Sequence, residues 1–424
     1  MREDRRTFLR TGAGASAGAL LLPGSVRSQG YSVGVGRDPS PYAATRRAIA
    51  ACGEWPVALA GRTVIVKPNL VLAQPASSGA TTDPGVVQAV VDLALAGGAA
   101  EVLIVDTSPS GAHFDGCGYG YFESYDPLGR VRLADLQGFP LVTAPVPGGL
   151  AYHSIDVPDV VLGEGVVFVS VAKLKVHKEA FVTLSTKNLF GLPAIDRYAS
   201  VPPNGRFAMH DRGLSQAIVD INRVRPVHFA VVDGIWGMEG VGPLFGTPIR
   251  MDTVLAGRNP VAVDRVGVAA MGLPQWPARH LACAARFGLG PAGLDEITVA
   301  GDPLAPRPFA LTALSPIIEY PRVSPSSFAP RRGERASAVV WYAERCLRSV
   351  EVVRLHDDRP DVDLVRTLLP YDYRDAGYEM ASWDGRDGNG LLAAPGRYAV
   401  HLRAYGGRGQ SRPADGVGWV TVAS

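Results

Sequence analysis

Lysine is rare in this chain, and its placement points to chemistry. Lys and Arg together number 42, yet lysine occurs only at positions 67, 173, 175, 178 and 187. Four of these five fall within Val171–Lys178 and its continuation Thr183–Gly191. An ammonium is a compact point charge and a guanidinium a planar fork, so lysine persists in an arginine-biased chain where the fork will not fit. Several ammonium groups converging on one crevice take a phosphate or a carboxylate. We therefore read Lys67, Asn69, Lys173, Lys178, Asn188 and Ser108 as ligand-binding residues. Crowded lysines depress one another's pKa, which suits one of them as a base or Schiff-base nucleophile. Lys175, Lys187 and His177 are the candidates for moving a proton. Asp106, Asp233 and Glu239 stand opposite them and could instead hold a divalent metal.

These residues need a scaffold that brings them together. Thr63–Lys67 is a β-branched run of strand length, closed by Pro68 and Asn69. Asp83 and Pro84 open a helix as N-cap and first-turn residue, and Gly97 and Gly98 end it. Glu101–Asp106 is the next strand, so the unit is β-loop-α-β. Further strands are expected at Gly165–Ser170, Phe229–Asp233 and Glu296–Ala300, with a helix at Leu214–Arg223. Strands alternating with helices predict a mostly parallel sheet with helices on both faces. Ligands bind at the carboxyl ends of such strands. That places Lys67 and Asn69, Asp106 to Ser108, and Lys173 to His177 at one mouth. The glycine-rich run Gly234–Gly246 fits neither a dinucleotide fingerprint nor a Walker loop.

The ends of the chain differ from its middle. Asp4–Arg10 reads Asp-Arg-Arg-Thr-Phe-Leu-Arg, similar to a twin-arginine export motif, and a mildly apolar run follows to Leu22. Residues 1–30 are thus read as a signal segment, which implies a periplasmic or secreted protein with no membrane contact in its mature form. Residues 31–302 are the α/β domain and 303–334 a Pro-, Arg- and Ser-rich linker. Residues 335–424 are a small all-β sandwich, with strands at Val350–Leu355, Tyr378–Trp383 and Gly396–Tyr405. The net charge of +2 argues against a nucleic-acid partner. Cys52, Cys117, Cys283 and Cys346 are scattered with no Cys-x-x-Cys. That excludes a self-contained iron–sulfur site while leaving disulfides open.

Taken together, Val66–Leu70, Thr82–Pro84, Lys173–His177, Thr183–Gly191, Asp233–Ile235, Glu239–Pro243 and Asn259–Asp264 resemble the bacterial and archaeal domain of unknown function 362. The resemblance runs over roughly residues 60 to 275. Many members of that family carry ferredoxin-type iron–sulfur modules, which this chain lacks, so no electron-transfer role carries over. Trp383–Asp387 and Pro395–Tyr398 are similar to the Ig-like domain of the flagellar hook-capping protein, an accessory module that implies a cell-surface partner. The expectation is an exported enzyme acting on an anionic small molecule or cofactor. The alternative is a non-catalytic periplasmic or cell-surface binding protein.

Overall fold

A computed structural model describes residues 30–423, apart from 54, 56–57, 108–112, 200–205, 312–321, 343–344, 357–361 and 406–413. The expected signal segment and Ser108 lie outside the described residues. From Tyr31 onward the chain forms one compact unit.

The α/β part contains strands β1 (Tyr31–Arg37), β2 (Thr63–Lys67), β3 (Glu101–Asp106), β4 (Val131–Asp135), β5 (Leu141–Pro145), β6 (Ser154–Pro158), β7 (Val167–His177), β8 (Phe181–Thr183), β9 (Phe229–Glu239), β10 (Thr247–Gly257) and β11 (Ile297–Gly301). Its helices are α1 (Pro41–Cys52), α2 (Pro84–Ala96), α3 (Ser185–Asn188), α4 (Ile195–Tyr198), α5 (Phe207–Asp211), α6 (Leu214–Val224), α7 (Pro260–Ala270) and α8 (Arg279–Arg286). One sheet runs in the order β11-β1-β10-β9-β7-β2-β3-β4, with β8 hydrogen-bonded to the end of β7. From β9 to β4 every pairing is parallel, whereas β10 runs antiparallel to both β9 and β1.

Side-chain alternation places helices on both faces. Val64 and Val66 pack with Val86, Val87 and Val90 of α2 on one face, while Ile65 packs with Ala217 and Ile221 of α6 on the other. Pro84 occupies the first turn of α2, and the Asp83 carboxylate accepts the Gly85 N–H, as the sequence predicts. Strand order reverses beside β2. The chain places β3 and β4 on one side of it, and β7 and then β9 on the other. This is a topological switch point, where the loops after neighbouring strands part and leave a crevice.

The strand expected at Gly165–Ser170 does not end at Ser170, before the lysines. β7 continues through Lys173 and Lys175 to His177, and β9 continues through Gly234 to Glu239. The β7–β9 register slips between Lys173 and Lys175: Lys173 faces Asp233 and Lys175 faces Met238. Strands β1, β4, β5 and β6 also went unread, because β5 is mostly exposed and β1 carries two glycines. Those glycines let α1 lie close to the sheet. A Cβ at Gly36 would stand 2.0 Å from the Ala44 carbonyl oxygen, and one at Gly34 the same distance from that of Ala48. Gly36→Val is expected to lose about 1–3 kcal/mol or more of unfolding free energy by urea denaturation, because backbone cannot yield to a β-carbon.

Beyond residue 321 the chain is antiparallel except for one short parallel pairing. Strands β12 (Arg322–Ser324), β14 (Ala336–Tyr342) and β17 (Gly377–Trp383) form one sheet. Strands β13 (Ser327–Phe328), β15 (Cys346–Leu355), β16 (Val362–Arg374), β18 (Gly396–Tyr405) and β19 (Ala414–Val422) form the other. Val340 and Trp383 from the first sheet meet Val352, Tyr398 and Val420 from the second in one core. Part of the expected linker is therefore strand. The contacts that tie this sandwich to the α/β part include Arg212 Nη1 donating to the His356 carbonyl at 2.6 Å and Arg397 Nη2 donating to that of Leu150 at 3.0 Å. The four cysteines are buried and none is in a disulfide. Among the described residues no helix is long and apolar enough to cross a membrane.

Candidate functional site

The cleft opens at the switch point. It encloses about 180 Å³, and its lining includes Lys67, Asn69, Asp106, Thr107, Lys175, His177, Thr183, Lys187, Asn188 and Arg206. Strand ends supply most of them: Lys67 and Asn69 come from the end of β2 and the turn after it, Asp106 and Thr107 from the end of β3, and Lys175 and His177 from β7. The remainder come from the β8–α3 segment and from Arg206 just before α5.

A hydrogen-bonded frame fixes these elements. Asp106 Oδ1 accepts from Lys67 Nζ at 2.5 Å and from Thr107 N–H at 2.8 Å, while Oδ2 accepts from Leu70 N–H at 2.6 Å. Asn188 Nδ2 donates to the Lys67 carbonyl at 2.9 Å and to Ser170 Oγ at 3.1 Å. Its Oδ1 accepts from Asn69 Nδ2 at 3.2 Å. The short helix α3 is held from below by Asp264 of α7, whose carboxylate accepts from Ser185 N–H (2.7 Å), Thr186 N–H (2.8 Å) and Thr186 Oγ1 (2.6 Å). These satisfy N–H groups that have no partner within the helix. Gly191 leaves room for the Lys67–Asp106 pair, since a Cβ there would lie 2.8 Å from Lys67 Cε.

The electrostatics are lopsided. Lys67 is answered by Asp106, but the lining holds no carboxylate for Lys175, Lys187 and Arg206. Burial lowers the Lys187 pKa to about 8, with Glu179 opposing and Arg206 reinforcing the shift. Burial, then Lys173 and Lys187, push Lys175 well below its ordinary value. Arg206 is lowered to about 10 by burial. Lys175 Nζ donates to the Ala80 carbonyl at 2.6 Å, and Lys187 Nζ sits 4.7 Å above the Phe190 ring. His177 Nδ1 accepts two backbone N–H groups, from Glu179 at 3.0 Å and from Ala180 at 3.1 Å. Burial and the neighbouring cations hold its pKa well below the usual histidine range. Its proton therefore sits on Nε2. The ring can donate a hydrogen bond, but its basic nitrogen is already occupied, which departs from the proton-carrying role expected of it.

Not every expected residue is in the cleft. Lys173 and Asp233 form a fully buried pair at 2.8 Å, and Asp233 also accepts from the Asp83 and Ile235 N–H groups. They join the start of α2 to the sheet. Lys173→Met is expected to cost about 3–5 kcal/mol in urea denaturation, because it strands a buried carboxylate. Lys178 is half-buried outside the lining, and its N–H donates to the Gly242 carbonyl at 3.2 Å. The three carboxylates proposed for a metal do not converge: Asp106 and Asp233 are held as described, and Glu239 accepts from Ala310 N–H at 2.6 Å. Among the described residues no group of three or more His, Cys, Asp or Glu side chains is placed to hold a metal ion. Arg206, Thr183 and Asp264 are not among the site residues expected from the sequence. Thr183 and Asp264 had a local signal, inside the Thr183–Gly191 and Asn259–Asp264 blocks, and Arg206 had none.

Residues 64–269 match the family model described as Domain of unknown function (DUF362). This chain carries a DUF362 domain. The domain starts in β2 and ends in α7, so it contains every residue of the cleft lining as well as Asp264. The thylakoid-associated protein sll1697 of Synechocystis sp. (strain ATCC 27184 / PCC 6803 / Kazusa) is 24% identical over 247 residues, which is 55% of this chain and 71% of that protein. Solved structures align only weakly. The Pseudomonas fluorescens alkylpurine DNA glycosylase AlkC bound to DNA is 15% identical with a TM-score of 0.18, over 25% of this chain and 30% of that one. The Erythrobacter marinus β-glucosidase EmGH1 is 13% identical with a TM-score of 0.17, over 92% and 49%. Neither likeness informs the fold or function of the DUF362 domain.

Proposed function

We propose that the cleft binds a small anion, a phosphate or a carboxylate, and that Lys175 either accepts a proton from it or attacks an aldehyde or ketone carbonyl that it carries, with loss of water to leave a Schiff base. The charge imbalance of the lining carries this reading: Lys187 and Arg206 face the cleft, and the one carboxylate that lines it, Asp106, is bound by Lys67. Buried ammonium groups are costly unless paired, so such an arrangement calls for an anion to complete it. Lys187 and Arg206 are the anion's charged partners, and His177 Nε2–H is a neutral donor. The depressed pKa of Lys175 favours its free amine, whose lone pair can take a proton or attack a carbonyl. That property favours an enzyme over a passive binding protein. The twin-arginine-like Asp4–Arg10 segment supports export to the periplasm or beyond.

The pH dependence of binding tests this reading. An anion restores the charged form of Lys187, whose pKa without ligand is about 8. Binding above that pH must take up a proton, so affinity for inorganic phosphate should fall by up to about tenfold per unit as pH rises from 8 to 9. Calorimetry in two buffers of different ionisation enthalpy reads the proton uptake directly. Affinity unchanged from pH 7 to pH 9 would contradict it.

A further inference from the structure

Three polar atoms in this cleft are buried and without a hydrogen-bond partner among the described residues: Asn69 Oδ1, Thr107 Oγ1 and Thr183 Oγ1. Their residues are 7%, 8% and 4% exposed. Buried polar atoms in native structures are nearly always paired, so three in one cleft mark a surface made for something else. The two hydroxyls can serve an anion as donors. Asn69 Oδ1 cannot, because a carbonyl oxygen only accepts.

The orientation of that amide is not arbitrary. Asn188 Nδ2 is committed to the Lys67 carbonyl and to Ser170 Oγ, so Asn188 must present its oxygen to Asn69. Asn69 answers with Nδ2 at 3.2 Å, and its own oxygen is left unpaired at the cleft wall. Swapping O and N in either amide would set two donors or two acceptors against each other. An acceptor therefore stands in a cleft otherwise furnished with cations. A ligand amine opposite it would be charged and repelled by Lys187 and Arg206.

We propose that the ligand is a hydroxylated anion, a hydroxy acid or the phosphate ester of a polyol, whose hydroxyl donates to Asn69 Oδ1. The proposal rests on the anion-binding reading above and narrows it to a class. A volume of 180 Å³ is about six water molecules' worth, which suits a compact metabolite.

Calorimetric titration of the whole chain with matched probes tests the proposal. Glycerol 3-phosphate and n-propyl phosphate share the anion and differ in hydroxyls, as do glycerate and propionate, and inorganic phosphate is the reference. At least one hydroxylated probe should bind about tenfold or more tighter than its deoxy partner, because a site with a buried acceptor rejects a ligand that leaves it unpaired. That preference should shrink to within about threefold in Asn69→Ala. Thr183→Val, a change of nearly equal volume that removes a donor to the anion, should weaken both members of each pair alike and leave their ratio unchanged, which separates loss of the acceptor from general damage to the cleft. Equal binding within both pairs, with inorganic phosphate still bound, would overturn the hydroxyl inference while sparing the anion site. A preference that survives Asn69→Ala would also overturn it. Absence of binding by inorganic phosphate and by every probe would bring down the anion reading itself.

Discussion

Lys187→Met should make the protein more stable and abolish its anion binding. Lys187 is 8% exposed and holds a pKa of about 8 against the ordinary 10.5, and the carboxylate of the cleft lining is bound by Lys67 instead. The sign follows from linkage. Between pH 8 and 10.5 the unfolded chain binds the proton more firmly than the native state, so stability rises with pH across that window. Below pH 8 the charge is present in both states and its burial costs the fold on the order of 3 kcal/mol. Methionine has a similar length and no charge, so the variant should recover part of that cost, less the cation–π contact with Phe190. Loss of a desolvated charged partner should weaken phosphate binding by about a hundredfold or more. A variant that is both less stable and still binding would mean that Lys187 is structural. The two readouts are urea denaturation at pH 7 and calorimetric titration.

Asp264→Ala should have the opposite signature on stability, a loss of about 3–5 kcal/mol. Its carboxylate accepts from two backbone N–H groups and a hydroxyl in a site closed to solvent, and alanine leaves all three unmet. Burial raises the carboxyl pKa to about 7, against the three donors, which favour the charged form. The native state then holds the proton more firmly than the unfolded chain between about pH 4 and pH 7. Stability from this group is fullest below that window and is lost as pH rises through 7. The gap between wild type and variant in urea denaturation should be wider at pH 5 than at pH 8. A gap that grows with pH would show that the carboxylate is stabilised in place. Because Asp264 carries α3, the variant should also loosen Lys187 and Asn188.

Much of the α/β framework was legible, and the reason is local. Thr63–Lys67 and Glu101–Asp106 are β-branched or apolar runs with clear ends, and Asp83-Pro84 is a helix start in any context. Lysine's rarity singled out the site, and the strand-end rule put Lys67, Asn69, Lys175 and His177 together. The sequence could not separate Lys173 from Lys175. Both lie on β7 two residues apart, and only the slip in pairing with β9 gives Lys173 to Asp233 while Lys175 faces the cleft. Register is a property of two strands at once, and one strand's residues do not declare it. The same holds for the carboxylates. Asp106 and Asp233 look like metal ligands when only their strand ends are known, and become anchors once the N–H groups opposite them are seen. Arg206 arrives from a loop with no periodicity, so nothing local pointed to it. Its place depends on the carbonyls of Gly191 and Pro193, which its guanidinium binds.

The central claim is that an anion completes this cleft. Calorimetric titration of the whole chain with inorganic phosphate at pH 7, for wild type and Lys187→Met side by side, tests it most directly. The structure predicts saturable one-site binding to wild type, with proton uptake growing toward pH 8, and no measurable heat with the variant. Equal heats for the two proteins, or none for either with phosphate and carboxylates alike, would contradict it.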